Sequence, residues 1–285
     1  MRKSFLSIAI VVGVGLLMAL AGSSDVGLLS SPNLLMAALV AFGLQWLAFI
    51  PAFIYRSERF YDLVGAATYI IITVFMAAQA TDSRALLLAA LIIIWAVRLG
   101  GFLFLRVRHA GGDSRFDQIK HSFPRFFLTW TLQGLWVIMT SAAALAAMAP
   151  SESVPLGGFA MIGLLLWLIG FTIEVIADEQ KRRFRLNSGN KDRFITHGLW
   201  AWSRHPNYFG EIVLWFGVAV IAFPALQSWQ YVTLVSPVFV YFLLTKVSGI
   251  PLLEASARKR WGGDTEFERY SATTSSLLLC PPRRD

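Results

Sequence analysis

The chain has one cysteine, Cys280. It can form no intrachain disulfide and no cysteine-based metal centre. Charge is scarce as well: 15% of the 285 residues are charged, 56% are hydrophobic, and the mean hydropathy is +0.60. A soluble protein of this length rarely has that balance. The chain also lacks an internal repeat, a low-complexity linker and any polar stretch long enough for a soluble domain. Whatever chemistry faces water must therefore be carried by loops and helix ends. Acidic residues are the rarer charge, 17 against 25 Lys and Arg, which leaves a net charge of +8.

What the chain has in abundance is long apolar runs. Eight are read as helices, over roughly Ser4–Gly22, Pro32–Tyr55, Leu63–Ala80, Ala85–Leu105, Phe126–Ala149, Pro155–Ala177, Tyr208–Leu226 and Trp229–Gly249. The expected fold is an all-α polytopic membrane bundle of seven or eight transmembrane helices. Its basic residues fall on one side. If the N-terminus is cytoplasmic, every Lys and Arg lies on the cytoplasmic side except Arg84, on the far side, and Arg98 and Lys246, within helices. That asymmetry is the positive-inside pattern. It accounts for the net charge through anionic lipid headgroups or an anionic cytosolic ligand, with no nucleic acid and no metal. Arg2-Lys3, the apolar core that follows and Ala19-Leu20-Ala21 also resemble a cleavable signal peptide. An uncleaved first span is the expectation here, with both termini cytoplasmic.

Three cytoplasmic segments are richer than the other loops: Arg106–Arg125, Asp178–Asn207 and Ile250–Asp285. Glu174, Asp178, Arg182 and Arg185 follow one another at helical spacing, so they share a face that runs from acid inside the membrane to base outside it. A snorkelling helix end explains the arginines. It does not explain Glu174, a carboxylate inside the apolar boundary that needs a partner or ligand. A turn follows at Asn187–Lys191, and then Arg193. The run Trp200-Ala-Trp-Ser-Arg-His-Pro-Asn-Tyr-Phe-Gly-Glu211 comes next, at the mouth of an apolar helix. Pro206 suits a first helical turn, which aims free backbone N–H groups toward Arg204, His205 and Asn207. Asn207 and Glu211 lie four apart on one face.

Asp178-x3-Arg182-x2-Arg185 followed by Gly198-Leu-Trp-x2-Ser-Arg-His-Pro-Asn-Tyr-Phe-Gly-Glu211 resembles the steroid 5-alpha-reductase C-terminal domain, and within it the bacterial DUF1295 branch. The tail Glu254-x5-Arg260-Trp261-Gly262 with Phe267-x2-Tyr270 is similar to tails of the same family and of the sterol C14-reductases. The resemblance covers Glu174–Tyr270 closely and Tyr55–Gly65 and Arg98–Phe116 more loosely, the latter through Asp113-x-Arg115-Phe116. It implies a single membrane domain over residues 1–285, with residues 1–150 on the substrate side and 151–285 holding NADPH from the cytosol. It also implies reduction of an activated carbon–carbon double bond in an apolar, lipid-like substrate, in a bacterial inner membrane. Carried over residue by residue, Asp178, Arg182, Arg185, Arg193, Asn207 and Glu211 line the dinucleotide. Arg115, Glu174, Trp202, Arg204, His205, Tyr208 and Tyr270 join them. Arginine forks suit the phosphates of NADPH.

The chain departs from the steroid enzymes at Phe49-Ile50-Pro51, where they carry an acid that holds the substrate ketone. The nearest substitutes are Glu58, Tyr61 and Asp62, with Tyr69 and Arg98 as further donors; a helix boundary balanced by Arg56 and Arg59 is the plainer account of the acids. The tail lacks the histidines of the steroid enzymes. Arg-His-Pro-x-Tyr-x-Gly also occurs in isoprenylcysteine and phospholipid methyltransferases, which bind S-adenosylmethionine. A reductase needs more bases than a methyltransferase does, because S-adenosylmethionine has no phosphate. A non-catalytic lipid-binding protein on the same scaffold is the third reading.

Overall fold

A backbone can cross hydrocarbon only if its N–H and C=O groups bond to one another, and these apolar runs do so as helices. The computed structural model describes residues 2–23, 34–78, 80, 82–149 and 154–281, and no strand occurs among them. The helices are α1 (Arg2–Gly22), α2 (Leu34–Ile54), α3 (Tyr61–Ala77), α4 (Ser83–Ala110), α5 (Phe123–Ala147), α6 (Gly158–Leu186), α7 (Pro206–Ala222), α8 (Ser236–Phe242), α9 (Ile250–Trp261) and α10 (Thr265–Thr273). Seven helical segments are long and apolar enough to cross a membrane, which fits a multi-pass integral membrane protein. The eighth expected span, α3, is apolar but only 17 residues long. Residues 32–33, the expected start of the second span, lie outside the described residues.

The last span differs from the continuous helix expected over Trp229–Gly249. A 3-10 helix over Ser228–Val235 leads into α8, and a π-helical turn over Leu243–Val247 leads into α9. Within the turn, Ser248 N–H reaches back to Leu243 O at 2.9 Å. Such turns re-aim the side chains that follow. The sixth helix continues to Leu186, so Glu174–Arg185 is helical throughout.

The chain packs as two units, one of residues Met1–Met161 with Val218–Ser236 and one of Ile162–Gly217 with Pro237–Asp285. In the first, α5 is the most enclosed helix, with 78% of its apolar window buried. Its polar groups find partners across helices: Trp46 Nε1 donates to Thr131 Oγ1 at 3.2 Å, and Tyr69 bonds Thr140. Arg84, the base expected on the far side of the membrane, is fully buried. Its guanidinium donates to Ile221 O at 2.7 Å and Pro155 O at 2.6 Å. Backbone carbonyls at helix ends are unpaired by construction, and a cation there satisfies them. Arg84 is thereby accounted for as a structural clamp.

In the second unit, α6 and α7 touch backbone to backbone. A Cβ on Gly170 would lie 2.5 Å from Gly210 O, and one on Gly210 would lie 2.5 Å from Gly170 O and 2.7 Å from Glu174 N. Small residues at a crossing are what let membrane helices approach this closely. The crossing sits one residue before Glu211 and four before Glu174, so it sets the register of the candidate site.

Candidate functional site

The α6–α7 crossing gathers four polar side chains in an apolar setting. Glu174 is 2% exposed, Asp178 8% and Glu211 7%. Asn207 Nδ2 donates to Asp178 Oδ1 at 3.2 Å. Two carboxylates from one helix thus stand beside an amide and a carboxylate from the other. Burying this much charge is costly unless the groups serve each other or a ligand.

Next to them lies the loop that precedes α7, and a strap from the C-terminal tail holds it. Arg204 N–H donates to Ser275 O at 2.8 Å, Ser203 Oγ to Leu277 O at 2.8 Å, and Cys280 N–H to Trp202 O at 3.2 Å. Tyr270 OH donates to Trp200 O at 2.6 Å, and burial pushes its hydroxyl pKa up. Trp200 Nε1 in turn donates to Ala177 O at 3.0 Å, which ties the loop to α6. His205 is 6% exposed, with Nε2 3.0 Å from Glu254 Oε1 on α9. Arg204 Nη2 reaches the same oxygen at 3.4 Å. The Tyr208 ring lies parallel to that of His205, 5.8 Å between centroids. Burial depresses the His205 pKa, with Glu254 opposing, so the imidazole is held toward its neutral form. Trp202 is half exposed and lines a shallow apolar groove with Ile176, Leu199 and Leu279.

The arginines stand differently from the single acid-to-base face that spacing suggests. Arg182 pairs with Glu179 at 2.7 Å and shares it with Arg183, so Asp178 is left to Asn207. This pair is exposed and contributes little to stability. Arg185 is also exposed, and Arg193 is exposed with no ion pair among the described residues. Exposed arginines of this kind can meet an anion from solvent.

The substrate-side candidates fall in the first unit. Glu58 is buried, and its Oε1 accepts the Asp113 N–H at 3.0 Å while Oε2 takes Lys120 Nζ at 3.0 Å. Arg115 closes on Asp113, with Nε 2.9 Å from Oδ1. Tyr61 packs against Phe116 and Trp130, and its hydroxyl donates to Thr129 O at 3.0 Å. Asp62 sits in the first turn of α3, where a carboxylate suits the helix dipole. Arg98 is half buried in α4. Glu58 and Tyr61 therefore serve to fasten the loop between α4 and α5. Burial raises the Glu58 pKa, but the Asp113 N–H and Lys120 outweigh it and leave the carboxyl below its ordinary 4.5. Linkage gives the sign: a depressed carboxyl stabilises fully above the unfolded value and loses that contribution as pH falls through the folded one. Glu58→Gln is expected to lower the unfolding midpoint at neutral pH. The gap to wild type should close as pH is lowered between about 6 and 3. Thermal unfolding in detergent checks this, and a gap independent of pH would refute it.

Residues 48–274 match the family described as Protein of unknown function (DUF1295). The chain belongs to this family. Among curated proteins it is similar to 3-oxo-5-alpha-steroid 4-dehydrogenase 1 of Rattus norvegicus, at 30% identity over 118 residues, 41% of this chain and 40% of that one. It is similar to the Bos taurus protein of the same name at 32% over 71 residues, 25% of this chain and 27% of that one. An uncharacterized protein of Schizosaccharomyces pombe is 24% identical over 176 residues, 51% of each chain. The chain thus spans about half the length of these relatives or less. No solved structure matches it.

The geometry around α7 of this DUF1295 chain is consistent with a nucleotide. Arg204 Nε and His205 Nδ1 are buried and meet no hydrogen-bond partner among the described residues. Buried polar atoms are nearly always paired, so two orphans side by side suit a ligand that pairs them. Glu254 was noticeable in the sequence only as the start of the tail motif. Its bond to His205 needs α9 folded back onto the loop before α7, which no local pattern encodes.

Proposed function

We propose that this DUF1295 protein is a membrane reductase that uses NADPH to saturate an activated carbon–carbon double bond of an apolar substrate taken from the bilayer. The observation that carries the reading is the buried acids Glu174, Asp178 and Glu211, with half-buried Asn207 bonded to Asp178, at the foot of an arginine-rich helix end. It lies in the family stretch. The similarity to 3-oxo-5-alpha-steroid 4-dehydrogenases supports a reductase-like family. NADPH, when bound, supplies the hydride. Arg182, Arg185 and Arg193 hold its phosphates, with Arg182 exchanging Glu179 for a better-matched anion. Asn207 and Glu211 hold the carboxamide and thereby aim the nicotinamide. The apolar helices around them exclude water, which protects the hydride. The hydroxyls of Tyr61 and Tyr69 are engaged within the protein. Arg98 is the candidate that the sequence reading offers for polarising the substrate carbonyl. The basic loops support a cytoplasmic position for this chemistry.

The test is titration of the detergent-solubilised chain with NADPH, NADH and S-adenosylmethionine. NADPH should bind about tenfold tighter than NADH or better, since the 2′-phosphate gives the surplus arginines a partner. Arg182→Ala or Arg185→Ala should weaken NADPH binding and reduce its salt dependence. Binding of S-adenosylmethionine without either dinucleotide would overturn the reading in favour of a methyltransferase. Binding of none of the three would favour a lipid-binding protein.

A further inference from the structure

We infer that His205 accepts a hydrogen bond from an N–H or O–H of the bound nucleotide through Nδ1, and that Glu254 is the positioning residue that makes this nitrogen an acceptor. The inference rests on the NADPH reading above and adds the chemical sense of one contact.

The two ring nitrogens of His205 have different surroundings. Nε2 lies 3.0 Å from Glu254 Oε1. A carboxylate accepts, so Nε2 carries the proton, and Nδ1 of the neutral ring then holds a lone pair. That lone pair is buried and meets no partner among the described residues. The ring is not free to turn and satisfy it. Turning would break the Glu254 bond and the parallel contact with Tyr208. The backbone is held too, since His205 N–H donates to Ser203 Oγ at 3.1 Å. A buried acceptor without a partner is costly. A ligand donor removes that cost.

Arg204 Nε, the neighbouring orphan, is a donor. The pair therefore offers one donor and one acceptor. A phosphate only accepts, so it can serve Arg204 and cannot serve neutral His205. The group on His205 must carry a hydrogen. On NADPH that chemistry belongs to the carboxamide, the adenine amine and the ribose hydroxyls. The helix start before α7 is thus not a plain anion site.

Charge around the ring sets how the contact depends on pH. Glu254 favours the imidazolium, whereas burial, Lys181 and Arg204 disfavour it. Protonation would turn Nδ1 into a donor and oppose the ligand's own donor. NADPH affinity should therefore fall as the ring is protonated on the acid side of its ordinary value, beyond any change seen with the phosphates alone.

The decisive variants are His205→Asn and His205→Gln. An asparagine amide reaches the position of Nδ1, and a glutamine amide reaches that of Nε2. If Nδ1 makes the ligand contact, His205→Asn should bind NADPH within about threefold of wild type, without the acid-side loss. His205→Gln should keep the Glu254 contact and bind about tenfold more weakly or worse. If His205 matters only through Glu254, the order reverses, and that result overturns the inference while leaving the NADPH reading intact. Wild-type protein that takes up no NADPH defeats both. Two analogues identify the donor group. A 3-acetylpyridine nucleotide lacks the carboxamide N–H, and a hypoxanthine nucleotide lacks the adenine amine. The analogue penalised in wild type but not in His205→Gln marks the group that His205 reads. A penalty for neither, with the Asn-over-Gln order kept, assigns a ribose hydroxyl.

Discussion

Replacing Gly210 with valine is expected to remove most folded protein from a membrane preparation. A Cβ at this position would lie 2.5 Å from Gly170 O and 2.7 Å from Glu174 N. Both are backbone atoms of a helix, so no side chain can turn aside. The helices must move apart by several tenths of an ångström even for alanine, and further for a branched side chain. Overpacking of this kind costs about 3 kcal/mol or more, a large share of a typical total stability. The separation would also pull Asn207 from Asp178, which are only 3.2 Å apart. Gly170→Val should behave the same way, since its Cβ would meet Gly210 O and Leu214 N at 2.5 Å. Gly13→Ala and Gly43→Ala are the controls, because nothing lies within 4 Å of a Cβ at either. Their thermal midpoints should match wild type or exceed it slightly, since alanine favours a helix over glycine by about 1 kcal/mol. A Gly210→Val protein that unfolds at the wild-type temperature would show that the crossing is not this tight.

Asn207→Ala and Glu211→Gln are expected to lower turnover about a hundredfold while leaving NADPH affinity within a few-fold of wild type. The difference between the two effects follows from where binding energy comes from. On the proposed reading, phosphate contacts to exposed arginines would supply most of the affinity, whereas Asn207 and Glu211 would hold the reacting end in line. Small misplacements of a hydride donor are expensive in rate and cheap in binding. The measurement is NADPH oxidation with an apolar enone acceptor, beside NADPH titration and thermal unfolding of the same preparations. Glu211 is buried at 7% exposure. Were it only a structural carboxylate, its loss would leave a neighbour uncompensated and cost about 3–5 kcal/mol in stability. Wild-type turnover in Glu211→Gln, or a variant that unfolds before it can be assayed, would show that the residue does not aim the cofactor.

The parts of this site that could be read from the sequence are those built on one helix or one loop. Glu174 and Asp178 share a face because a helix repeats every 3.6 residues, and α6 does carry them unbroken to Leu186. Pro206 begins α7 because its missing N–H costs nothing there. Spacing was a poorer guide to Arg182, which is equally placed to reach Asp178 and Glu179 and pairs with Glu179. Exposed side chains choose partners by small differences that a helical wheel cannot rank. Glu58 and Tyr61 looked like substrate ligands because acids and tyrosines near a membrane boundary demand partners. Their partners are Asp113, Lys120 and Thr129, more than fifty residues away in each case.

The sequence alone determined the class of this protein. Apolar runs of membrane length and one-sided basic loops leave helices as the solution, since lipid offers no partners for an open backbone. It also determined which residues crowd the mouth of α7, and so the family. Only the tertiary structure decided which of them are buried, paired or orphaned. The α6–α7 crossing, where a Cβ on Gly170 or Gly210 would meet the other's carbonyl oxygen at 2.5 Å, the return of the tail onto Trp202 and Arg204, and the bond between His205 and Glu254 each join segments far apart in the chain. Such contacts depend on how two helices cross and where a strap lands, and hydrophobic periodicity carries no record of either. The last span makes the same point locally. Its composition reads as one helix over Trp229–Gly249, yet it passes through a π-helical turn at Leu243–Val247. Just after that turn a Cβ on Gly249 would lie 2.4 Å from Leu244 O, so a residue without a side chain is what the close backbone return requires.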